Sequence, residues 1–129
     1  MVPGWLKILV TGASIALLSA CGLLTLPQLD IDYPKYAEVI DGNASGPGSL
    51  IRKRALDVYE LEYFIAPNHK AIAQSRSGAW AWTRDQPSVE AAIDRALELC
   101  RNGNGSQERK QPCKLVNIDS YWGSEIPRG

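Results

Sequence analysis

The stretch SVEAAIDRALELC, residues 88–100, decides how the rest of the chain is organised. Val89, Ala92, Ile93, Ala96, Leu97 and Cys100 recur at i, i+3, i+4, i+7, i+8 and i+11, which lines one face of an α-helix with apolar groups. Glu90, Asp94, Arg95, Glu98 and Arg101 fall on the other side. Ser88 stands where a side-chain oxygen caps the first turn, and Glu90 lies near the positive helix end. Gly103 is the expected stop, so the spacing predicts a helix over 88–102.

A helix with one apolar face needs a surface to cover it. Upstream, KAIAQS (70–75) and AWAWT (79–83) are two short alternating runs joined by Arg76-Ser77-Gly78, the pattern of a β-hairpin whose glycine takes positive φ. Ala71, Ala73, Ala79 and Ala81 would form one face of it, flat enough for close helix packing, and Ile72, Trp80 and Trp82 the other. Downstream, the polar stretch 102–112 leads into CKLVNID (113–119), a third strand. The expected fold is α+β: a small antiparallel sheet, made of the hairpin plus the C-terminal strand, packed on one main helix in the order β-β-α-β. KRALDVYELEYFIA (53–66) fits helix and strand in part, and a further N-terminal helix is expected over 52–63, stopped by Pro67.

Cys100 ends the apolar stripe and Cys113 begins the strand after it, so a helix lying on the sheet brings the two within bridging reach. Whether they pair depends on the compartment. From Ile8 to Leu26 the chain runs ILVTGASIALLSACGLLTL without a charge, preceded by Lys7 and the amino terminus. A short basic start, an apolar stretch and then small residues is how a secretory signal peptide is built. Leu18-Ser19-Ala20-Cys21 within it resembles the lipobox of bacterial lipoproteins. The resemblance implies cleavage before Cys21 and a diacylglyceryl group on its thiol, with a third acyl chain, such as palmitate, on the new amino group. Gly22 rather than Asp then implies the outer membrane, with the chain facing the periplasm. An uncleaved transmembrane anchor over 8–26 is the alternative. Both put the remaining chain outside the cytoplasm, where two free cysteines are most simply one disulfide.

The expected division is therefore a signal peptide over 1–20, a lipidated tether and flexible loop over 21–51, and the α+β domain over 52–129. Pro27, Pro34, Pro47 and the Gly/Ser-rich run 42–49 break any periodic pattern in the second part. The run from His69 to Trp122 also resembles a small domain of secreted and envelope bacterial proteins of unknown function. The resemblance rests on Lys70–Ala73, Gly78–Trp82, the Leu97-Glu98-Leu99-Cys100 helix end and the Cys113–Ile118 strand. It implies the β-β-α-β order and the disulfide, and carries no catalytic residue.

Composition narrows the chemistry. Fourteen Lys+Arg balance fourteen Asp+Glu, so nothing draws the chain to phosphate backbones and no nucleic-acid partner is expected. One His and three scattered Cys do not make a zinc site, and no metal or cofactor is expected. Gly42-Asn43-Ala44-Ser45-Gly46 lacks the Lys of a phosphate loop. His69 beside Ser75 or Ser88 is the one hydrolase arrangement available, and there is no nucleophile elbow. Aromatic residues offer more. Trp80 and Trp82 are two apart on a strand, and Tyr121-Trp122 follows the last one. With Arg76 and Arg84 at the rim, these rings are either a surface for a protein or cell-wall component, or the core of a chain with one Phe. A non-enzymatic binding or inhibitor-type module, held at the membrane by acyl chains, is the leading expectation; a small envelope hydrolase using His69 is the alternative.

Overall fold

The computed structural model describes residues 31–126. The expected signal peptide and the first part of the expected tether, residues 21–30 with Cys21, lie outside the described residues.

Strands β1 (Ala71–Gln74) and β2 (Trp80–Thr83) form the expected hairpin, with Ala73 opposite Ala81. Its turn closes through Gly78 N–H donating to the Ser75 carbonyl at 3.0 Å, and Gly78 has φ 98°. Strand β3 (Lys114–Ile118) pairs with the other edge of β1, and β4 (Tyr121–Trp122) folds back on β3. The sheet order is β2-β1-β3-β4, antiparallel throughout, so the fold is α+β as expected, with one strand more. That strand follows a tight turn at Asp119, whose φ is 53°.

Helix α3 (Val89–Asn104) covers one sheet face. Ser88 Oγ accepts the Ala91 N–H at 3.0 Å, the expected cap. The helix runs past Gly103, however, and ends at Gly105, whose φ is 55°. The cause is Asn104, which is buried: its Nδ2 donates to Glu108 Oε2 and to the Gln111 carbonyl, and its Oδ1 accepts from Ser77 Oγ. These bonds hold the last turn in helical geometry that Gly103 alone would not keep. Val89, Ala92, Ile93, Ala96, Leu97 and Cys100 are all buried against Ala71, Ala73, Leu115 and Ile118. Thr83 Oγ1 donates to the Ala92 carbonyl at 3.0 Å and ties β2 to the helix. Cys100 and Cys113 form a disulfide across the helix end and the strand start, with Cα atoms 6.1 Å apart.

The opposite face carries a second layer. A short helix α2 (Lys53–Val58) continues into a π-helical turn at Tyr59–Tyr63, which matches the helix expected over 52–63. Ala55 and Tyr63 from this element, with Ala44 and Leu50, bury Ile72, Val116 and Trp122. A register shift between Ile72 and Ala73 pairs Ile72 with Asn117 and Ala73 with Leu115, leaving Val116 as an extra residue. Such a bulge turns two consecutive side chains toward one side. Val116 and Asn117 both serve the second layer for this reason.

Residues 31–51, expected as the end of the tether and a flexible loop, are packed into the domain. Tyr36 in helix α1 (Tyr33–Tyr36), Ile40, Ala44 and Leu50 are buried. Ile40 forms a parallel bridge with Leu115, and the Asp41 N–H donates to the Leu115 carbonyl at 2.9 Å. These anchors, with Ile31, are spread over a stretch broken by Pro and Gly and have no helical or strand period, so sequence pattern does not reveal them.

Candidate binding surfaces

Strand alternation sends Trp80 and Trp82 away from α3, and both indoles are half-buried in the second layer. Tyr63 meets Trp82 edge-on at 6.2 Å between ring centroids, Tyr59 lies 5.8 Å from Tyr63, and Trp122 lies 5.3 Å from Tyr59. A chain of four aromatic rings thus crosses the face from β2 to β4. Arg84 lies over the Trp82 ring, 5.8 Å from its centroid, and pairs with Asp85 at 3.4 Å.

The structure divides the residues singled out from sequence. Trp80, Trp82, Trp122 and Arg84 share the second layer. Trp122 is buried there, and Tyr121 points the other way and packs against the α3 layer. Arg76 sits in the hairpin turn, at the opposite end of β2 from Arg84. Leu61, Phe64 and Ile65 are 73%, 67% and 75% exposed on the element that covers the face.

Lys70 is the least expected residue of this layer. Its side chain is buried, and its ammonium donates to the carbonyls of Tyr63 (2.9 Å), Phe64 (3.2 Å) and Ala66 (2.6 Å). These carbonyls lie at the end of the π-helical turn, where only that of Tyr63 has a backbone donor, the Ala66 N–H at 3.1 Å, and a cation there also complements the negative end. The ammonium is 5.0 Å from the Tyr63 ring centroid. Burial lowers the Lys70 pKa below its ordinary 10.5, against the opposing pull of Asp119. Burial likewise pushes the Tyr63 hydroxyl well above 10.0, with the Asp119 carboxylate and Tyr59 adding to the rise. Lysine in a strand-like run gives no sign of such a role.

His69, half-buried just before β1, leaves its buried Nδ1 without a hydrogen-bond partner among the described residues. Neither serine considered with it bonds to it: Ser75 Oγ donates to the Gln111 carbonyl, and Ser88 Oγ is occupied as the α3 cap. Among the described residues no group of three His, Cys, Asp or Glu side chains is placed to hold a metal ion, and no helix is long and apolar enough to cross a membrane.

A groove of about 540 Å³ opens where the hairpin turn meets the segment before β3. Arg76, Lys110 and Lys114 line it, with Gln74 and Ser75 among the polar groups beneath.

No protein-family model, curated protein or solved structure matches the chain.

Proposed function

We propose that this chain is an envelope lipoprotein whose disulfide-stapled domain is a non-enzymatic binding module. On this reading the signal peptide is removed before Cys21, acyl chains on Cys21 hold the protein in the outer membrane, and the domain faces the periplasm. The uncharged run 8–26 ending in Leu18-Ser19-Ala20-Cys21 supports the anchor, and the Cys100–Cys113 bridge suits an oxidising compartment. The observation that carries the binding role is the aromatic face. Trp80 and Trp82 stay half-open to solvent on the side away from α3, with Arg84 across Trp82. Flat rings with a cation beside them suit either the faces of cell-wall sugar rings or an anchor residue of an envelope protein.

The test uses the full chain in neutral detergent, carried through co-sedimentation with purified peptidoglycan and cross-linking in envelope preparations. Retention by one of these, lost in Trp80→Ala while the melting temperature holds, supports the reading. If Trp80→Ala instead unfolds the domain, a loss of about 3–5 kcal/mol, the ring is core and the face is not a binding surface. The second reading, a small hydrolase, is favoured by one observation, the unpartnered Nδ1 of His69. His69→Ala with intact folding and a lost envelope phenotype would move the assignment to that class.

A further inference from the structure

Cations gather without partners at the groove beside the hairpin turn. Arg76 comes from the turn, while Lys110 and Lys114 come from the segment that leads through Pro112 and Cys113 into β3. All three are exposed, and none belongs to an ion pair among the described residues, where five other pairs form. Among the described residues the single carboxylate lining the groove is that of Asp41, whose Oδ1 is engaged by the Asn43 N–H. Glu108, close in sequence to Lys110, is also taken: it accepts from Asn104 and from the Cys113 N–H, and pairs with Arg101. In a chain of zero formal net charge, a surplus of two positive charges in one groove is a local asymmetry, and like charges held together there favour an anion between them.

The groove is also preorganised. The Gln111 carbonyl accepts from Ser75 Oγ at 2.6 Å and from Asn104 Nδ2 at 2.8 Å, and the disulfide fixes Cys113 between the two lysines' attachments. Gln74, buried beneath, is clamped through Oε1 by the Ile51 N–H and through Nε2 to the Ser49 carbonyl, which leaves its second amide hydrogen uncommitted among the described residues. Fixed walls reduce the ordering cost of binding. The lining is polar rather than apolar, so the fitting ligand carries hydroxyl or amide groups beside its charge.

We propose that this groove binds a small organic oxyanion of sugar-phosphate or sugar-acid size. Arg76 provides the planar fork that meets two oxygens of a carboxylate or phosphate, and Lys110 and Lys114 provide point charges from the segment that enters β3. The volume suits a ligand of one or two sugar rings. The proposal uses a surface apart from Trp82 and Arg84 and does not depend on the lipid anchor.

Calorimetric titration of the full chain in neutral detergent tests it, with glucose 6-phosphate, glucuronic acid and glucose as probes. Saturable binding of either charged sugar is expected, weakening as salt rises, with no heat from glucose at the same concentration; the two charged probes separate phosphate from carboxylate. Arg76→Gln with Lys114→Gln should weaken binding about tenfold or more, because charge-assisted hydrogen bonds are lost. Lys110→Gln should weaken it too, and Asp41→Asn should tighten it. Absence of binding by both charged sugars, equal binding of glucose, or unchanged affinity in the cation variants overturns the proposal.

Discussion

The Tyr63 hydroxyl donates to Asn117 Oδ1 at 2.8 Å, with both side chains fully buried. This bond joins the π-helical turn to the middle of β3 and holds the second layer over the sheet. Tyr63→Phe keeps the ring but strands the Asn117 side-chain oxygen, which should cost about 1–3 kcal/mol in urea unfolding.

The same residue sets an alkaline limit. Tyr63 keeps its proton in the fold well above 10.0, whereas the unfolded chain releases it near the ordinary value. Its contribution is therefore full below pH 10.0 and is lost as pH rises beyond it. Lys70, whose pKa is lowered, has the opposite slope just below 10.5 and partly offsets the loss. Urea midpoints measured between pH 9 and pH 11 should fall less steeply in Tyr63→Phe than in the native chain, whereas parallel slopes would contradict the assignment.

Lys70→Met removes the ammonium donor from the Tyr63, Phe64 and Ala66 carbonyls and leaves that of Ala66 buried without it. A loss of about 1–3 kcal/mol is expected by denaturant unfolding, with faster amide exchange at the C-terminal end of the π-helical turn. Lys53→Met provides the contrast. Its pair with Asp57 lies at 3.0 Å but is exposed, and removing it should cost no more than about 0.5 kcal/mol.

Replacing Cys100 and Cys113 together by Ser opens a loop with a sequence separation of 13. The chain-entropy model gives a loss of about 3 kcal/mol, a large share of the stability of so small a core. Ser88→Ala, at the other end of α3, should cost about 1 kcal/mol by removing the bond to Ala91 N. Thermal unfolding of both variants checks the ranking.

Sequence periodicity carried most of the architecture because its strongest signals are local. The α3 stripe needs only helical spacing, the hairpin needs alternation and Gly78, and the separation of alanines from tryptophans on β2 tells which face meets the helix. Contacts made between distant segments were not legible. Strand β4 is only two residues long and depends on Asn117 and Ile118 for its pairing. The packing of residues 31–51 rests on single anchors such as Ile40 against Leu115, and the helix stop at Gly105 rests on Asn104 reaching Glu108 and Gln111. The same holds for the surfaces: Trp80 and Trp82 were visible as a pair, but the turn of Tyr121 to the other face, and the meeting of Arg76 with Lys110 and Lys114, arise from the sheet order.

Cys21 and the bridge together decide whether this domain is lipid-anchored outside the cytoplasm, as proposed. Intact mass spectrometry of the chain recovered from the membrane fraction, without reduction, reads both at once. The expected result is a chain that begins at Cys21, carries the added mass of acyl groups, and shows no free thiol at Cys100 or Cys113. A chain that begins at Met1 with three unmodified thiols would contradict it.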